Sequence, residues 1–219
     1  MIQNVRAIVL WSRRGREADK VVGLFTREMG RLTARATSAA RATAKFSALT
    51  EPFVESDIAL YLAPGRGWGK IVGCRMVSSY PEIRTQVTRS TAASWVCEVV
   101  HRLTAEEQPS PEKFILLQET LAALSSVRKL GMVRLAFAVR FLSAAGFGLD
   151  HREAWTSLVE ERPEWAQALL TARLSDLGDE LWRDSLITAV EHLAGSVVTD
   201  HLNRPLHVNR YRQMACVEI

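Results

Sequence analysis

The sequence has 219 residues, 47% hydrophobic and 24% charged, which suits a globular chain able to bury a sizeable core. No apolar run approaches the length of a membrane span. The opening stretch, Met1 to Arg6, lacks the charged head, long apolar segment and cleavage site of a secretory signal. No membrane association and a cytoplasmic location are therefore expected. Three cysteines, Cys74, Cys97 and Cys216, are too scattered for a disulfide framework or a CxxC pair, and read as small apolar residues.

The formal net charge of +4 hides an asymmetry. The first 90 residues hold 15 Lys and Arg against 7 Asp and Glu; the remaining 129 hold 13 against 17. A basic half is thus joined to a mildly acidic one. The excess is mostly arginine, whose planar guanidinium grips phosphate in two-point fashion. That pattern points to a polyanionic partner for the first half.

In chain order, Val5, Ala7, Val9 and Trp11 alternate with Arg6, Ile8, Leu10 and Ser12, the period of a strand. Arg13-Arg14-Gly15-Arg16 breaks the run and Val21 to Thr26 resumes it. After a turn at Glu28-Met29-Gly30, Arg31, Thr33, Arg35 and Thr37 alternate with Leu32, Ala34 and Ala36. Two arginines and two threonines then share one face of one strand, with small apolar residues on the other. Ile58, Leu60 and Leu62 run into the turn Pro64-Gly65-Arg66-Gly67, and Ile71 to Val77 returns. About five strands suit a small Greek-key barrel such as an OB-fold.

Beyond Pro81 the period becomes helical. Stripes form at Ala92, Val96, Val99 and Leu103, at Phe114, Leu117, Leu121 and Leu124, and at Met132, Leu135, Val139 and Leu142. Ser110-Pro111-Glu112 is a helix start, and Gly146 a helix end. A late helix carries Leu186, Val190, Leu193 and Val197; residues 148 to 182 are helical but weaker, broken by Pro163 and Gly178. The expected class is α+β: an OB-fold nucleic-acid-binding domain over residues 1–80 and a helical domain over 81–219.

Gly65-Arg66-Gly67-Trp68-Gly69-Lys70 resembles a phosphate-binding loop but joins two strands, where such loops join a strand to a helix. It reads as a hairpin. Trp68 between two cations could also stack a base while Arg66 and Lys70 hold its phosphates. The five histidines show no ligand spacing with cysteines or carboxylates. No nucleophile motif or acid pair is found, so no catalytic residue, metal or cofactor is assigned and no enzyme is expected. Glu160-Glu161-Arg162-Pro163-Glu164 reads as a solvated helix end. Arg134 and Arg140, on the helix near Met132, are either surface charge or the rim of a groove for an acidic, apolar-tipped peptide.

Several stretches together resemble the start of the bacterial RecO family: Arg6 to Leu10, Arg16 to Lys20, Leu24-Phe25-Thr26-Arg27-Glu28-Met29-Gly30-Arg31-Leu32, Ala39-Ala40-Arg41, Lys45-Phe46 and Glu51-Pro52-Phe53. His201-Leu202-Asn203-Arg204-Pro205-Leu206-His207 is similar to the family's closing motif, where a lysine and a serine more usually follow the leucine. The resemblance implies a recombination mediator that binds single- and double-stranded DNA, anneals complementary strands and helps load RecA. It implies RecR and the tail of single-stranded DNA-binding protein as partners, RecA indirectly, and a nucleoid-associated place in the cytoplasm. Arg13, Arg14, Arg16, Arg31, Arg35, Arg41, Lys45, Arg66, Trp68 and Lys70 are the expected DNA contacts, and Arg134 and Arg140 the tail contacts. Many relatives carry a four-cysteine zinc site after the glycine matching Gly146; this chain has no cysteine between Cys97 and Cys216, so no zinc is expected. An RNA-binding OB protein and a structural adaptor are the alternatives.

Overall fold

The computed structural model describes residues 1–39, 46–63, 68–149, 152–177 and 185–202. Five strands come first: β1 (Ile2–Arg14), β2 (Lys20–Thr26), β3 (Gly30–Ala36), β4 (Glu55–Leu62) and β5 (Trp68–Ser78). They close into a barrel, as the strand pattern predicts, and the order β1-β2-β3-β5-β4 is that of an OB-fold. Helices α1 (Pro81–Thr85), α2 (Val87–Leu103), α3 (Pro111–Ser126), α4 (Leu130–Ala144), α5 (Glu153–Glu161), α6 (Pro163–Thr171) and α7 (Ser185–Leu202) follow. By its contacts the chain divides into two compact units, Met1–Pro81 with Val100–Phe114, and Glu82–Val99 with Ile115–Ile219.

Alternation fills the barrel. Val5, Ala7 and Val9 of β1 meet Val22 and Leu24 of β2, Leu32 and Ala34 of β3, Ile58 and Leu60 of β4, and Ile71 of β5 in one buried core. The period slips once in β1. Val9 pairs with Leu24 but Trp11 pairs with Gly23, so one residue is inserted between them. This bulge turns Trp11 and Arg13 onto the outer face, where unbroken alternation would have sent them inside. Gly23 accommodates the turn. A Cβ there would fall far inside contact with the Trp11 indole, which lies over the glycine.

Residues 100–114 belong to the barrel unit, which no sequence pattern announces. Arg31 of β3 donates to the Thr104 carbonyl (2.9 Å) and pairs with Glu106 (3.0 Å). Glu107 N–H donates to the Arg31 carbonyl (3.1 Å), and Phe114 packs against Phe25 of β2 with ring centroids 6.1 Å apart. Gly30, at φ +72°, lets the chain turn into β3, and a Cβ would collide with the Gln108 backbone. Across β1, β4 and β5, Arg6 pairs with buried Glu55 (3.0 Å) and with Asp57 (2.6 Å), and Asp57 also pairs with Arg75. Arg75 first, then Arg6, holds the Asp57 carboxyl below its ordinary range.

In the helical unit α4 packs against both α6 and α7. Met132, Val133, Leu135 to Val139, Phe141 and Leu142 are all buried, so the helix is covered well beyond the predicted stripe. Trp95 meets Phe137 edge-on at 6.2 Å, and Phe137 stacks on Phe141 at 5.3 Å. Gly146, at φ +80°, ends α4 as expected, with Phe147 N–H reaching back to the Leu142 carbonyl (2.9 Å). The acidic stretch 160–164 is exposed between α5 and α6. Arg140 donates to the carbonyls of Ala168, Leu169 and Ala172, closing the C-terminal end of α6.

Three outcomes follow for stability. Gly30→Ala must adopt a left-handed φ against the Gln108 backbone and should cost roughly 1–3 kcal/mol in denaturant unfolding. Arg140→Leu strands three helix-end carbonyls and should cost about 1–3 kcal/mol; Arg140→Lys, a point charge, should recover little of it. Asp57 is held below its unfolded value of about 3.9, so its contribution is complete above that value and disappears as pH falls through the lower folded value. Thermal midpoints should stay level down to about pH 5 and then fall, more shallowly in Asp57→Asn than in wild type.

Candidate nucleic-acid interface

The pairing registers decide which cations meet. Arg13 pairs with Val21, Val21 with Arg35, Arg35 with Lys70, and Lys70 with Tyr61. Cross-strand partners share a face, so Arg13, Arg35 and Lys70 form one row across the outside of the barrel. Trp68 opens β5 beside Thr33 and stands two residues from Lys70 on that same outer face. The parallel β3–β5 pairing makes this row, joining residues more than thirty positions apart in sequence.

At one end of the row, the turn between β1 and β2 builds a cleft of about 430 Å³ lined by Arg13, Arg14, Gly15, Arg16, Asp19, Val21, Arg35 and Trp68. Gly15 N–H donates to the Asp19 carbonyl (2.8 Å) and Asp19 N–H to the Arg16 carbonyl (3.2 Å), which fixes the turn. Glu17 occupies its left-handed position, at φ +57°. Asp19 ties the turn to the far end of β3: its carboxylate accepts from Ser38 N–H (2.7 Å) and from Arg35. These partners, the Ser38 amide foremost, hold the carboxyl below its ordinary range, and Lys70 adds attraction from a distance. Arg13 also lies over the Trp11 ring, 5.3 Å from its centroid.

Six of the expected DNA contacts, Arg13, Arg14, Arg16, Arg35, Trp68 and Lys70, therefore gather on one surface. Arg31 shares the outer face of β3 but not this surface. Its side chain is 18% exposed against 55% for Arg35, because residues 104–107 cover it. It also reaches His101 Nδ1 (3.5 Å), which accepts from Trp11 Nε1 (3.3 Å). Arg41, Lys45 and Arg66 lie outside the described residues, as does the closing motif from Asn203 onward. Val21 and Asp19 enter the site unforeseen. Only the turn geometry reveals them, since an aspartate amid arginines reads in sequence as mere charge balance.

Arg134 and Arg140 do not form a common rim. Six residues apart on a helix, they point about 120° away from each other. Arg134 lies over Trp95 at 4.8 Å, and Arg140 closes α6. Their sequence-level assignment to a peptide groove thus meets two separate packing roles inside the helical unit. Among the described residues, no group of three His, Cys, Asp or Glu side chains is placed to hold a metal ion. Cys97 is buried, which pushes its thiol up, and burial also raises half-buried Cys74. Among the described residues, no helix is long and apolar enough to cross a membrane.

Comparison with known proteins adds an independent line. Residues 1–80 match the family model "Recombination protein O N terminal", and residues 84–156 match "Recombination protein O C terminal". The chain is 35% identical over 127 residues to the DNA repair protein RecO of an Exiguobacterium species, covering 58% of this chain and 50% of that one. It is 33% identical over 147 residues to the same protein of Geobacter metallireducens (66% of this chain, 59% of that one). It is 34% identical over 150 residues to that of a Nocardioides species (67% and 61%). The matches thus span only about half to three fifths of those relatives' length. With both of the family's domain models in register, the first over the barrel and the second over the helices that follow it, this chain belongs to the RecO family.

Proposed function

We propose that this chain is a DNA repair and recombination mediator that binds single- and double-stranded DNA on the outer face of its barrel. The observation that carries the proposal is the row Arg13, Arg35, Lys70, continued by Arg14 and Arg16 around the cleft. Exposed arginines and a lysine on a strand face meet phosphates without reading bases. That is the chemistry strand annealing needs: two polyanions are brought together while their base edges stay free to pair. In this role the chain holds strands and breaks no covalent bond, so it is not an enzyme and uses no cofactor.

Family membership supports the wider setting: RecR and the tail of single-stranded DNA-binding protein as partners, RecA loading downstream, and action at the nucleoid in the cytoplasm. Arg41, Lys45 and Arg66 extend the proposed phosphate contacts by sequence alone, whereas Arg31 contributes by holding β3 in place.

The test is a salt titration of binding to labelled duplex. Log affinity should fall linearly with log salt, and Arg13→Ala/Lys70→Ala, which removes two contacts, should make that slope shallower by about 2. A slope unchanged by the double substitution, or binding indifferent to salt, would overturn the assignment. Annealing of strands coated with single-stranded DNA-binding protein then separates a mediator from a passive binder. Preferential binding of RNA in competition would instead indicate a reader of the 2′-hydroxyl.

A further inference from the structure

We propose that the cleft beside Trp68 takes one unpaired nucleobase, stacked on the indole, while the cations at its rim hold the flanking phosphates; this rests on the proposed DNA-binding role of the barrel. Three observations converge on it. First, Trp68 is 51% exposed although it is the largest apolar side chain type, and it forms one wall of the cleft. Trp11, on the same outer face, is by contrast spent on covering Gly23 and donating to His101. An indole left half in water keeps a face free for a planar ligand.

Second, the cleft is not uniformly basic. Asp19 lies inside it, 6% exposed, between Ser38 N–H and Arg35. Asp19 is ion-paired with Arg35 there, so that guanidinium's charge is already met inside the cleft. A phosphate driven inward would have to compete with Asp19 for Arg35. Arg13, Arg14, Arg16 and Lys70 are exposed around it. Phosphates therefore stay on the rim, and the group that enters is neutral and flat.

Third, shape selects the strand. A volume of about 430 Å³ accommodates a base with room to spare, but not the stacked pairs of a duplex. A single strand presents its bases free and can place one against the aromatic face; a duplex must first unstack one. The same surface therefore grips both forms of DNA through phosphate and distinguishes them through Trp68.

The experiment titrates the full chain with three probes of equal length: an oligothymidylate, a strand that is abasic throughout, and a blunt duplex. Trp68→Ala should weaken oligothymidylate binding by about 5- to 150-fold, the value of one stacked base, and change the other two less than about twofold. Trp68→Phe should stay within a few-fold of wild type, because a phenyl ring still stacks. Oligothymidylate, but not the abasic strand, should quench tryptophan emission in wild type, and the quenching should diminish in Trp68→Phe. Equal losses on all three probes, or no loss on oligothymidylate, would overturn the base site. If Arg13→Ala/Lys70→Ala still weakens every probe in that case, DNA binding by the barrel stands without it. If no probe binds wild type at low salt, both fall together.

Discussion

Closure of the barrel by β3 against β5 is the constraint on which the rest depends. Three registered pairs make the seam: Thr33 with Trp68, Ala34 with Gly69, and Arg35 with Lys70. Inside it, a Cβ added to Gly69 would lie 3.3–3.4 Å from Leu62 and Leu60, so there is little room for anything larger than glycine. Outside, the other two pairs set a cation beside a cation and an aromatic beside a small polar residue. Two like charges side by side cost energy in isolation. Asp19 offsets part of it by pairing with Arg35 and attracting Lys70, and an incoming polyanion would offset more.

The outer face of the barrel is divided between two uses. Toward the start of β3, residues 100–114 lie over Phe25 and Arg31, converting polar surface into anchorage. Toward its end, Arg35 and its neighbours stay open. Two arginines four residues apart on one strand face thus differ in role because a distant loop covers one of them. The bulge in β1 adds to the open end by delivering Arg13 outward. An extra residue in a ladder, an asparagine-sized carboxylate under a turn and a glycine beneath an indole are small local features. Together they shape a cleft that combines a positive rim, a floor where Asp19 pairs with Arg35, and an aromatic wall.

Much of this was legible in the sequence. The period of two in Arg31-Leu32-Thr33-Ala34-Arg35-Ala36 correctly put the arginines outside and the alanines inside, because side chains alternate on a strand whatever its neighbours are. The helical stripes of α2, α3 and α4 were found for the same reason: burial follows period. The barrel class, the family and the positive charge of the first half could all be reached from residues alone. Arg134 and Arg140 show the limit. Both look like free surface charge, yet one lies on an indole and the other closes a helix end, partners that come from helices far along the chain.

The sequence by itself thus determined the elements, their inward and outward faces, and the concentration of positive charge in the barrel, since these depend on local periodicity and composition. Tertiary structure alone decided which charges stand together: Arg13 with Arg35 and Lys70 through strand register, Asp19 with Arg35 through a turn, and Arg31 with Glu106 through a loop. The physical reason is that a side chain's direction is set by its own backbone, whereas its partners are set by register, bulges and long-range packing, which no local pattern encodes.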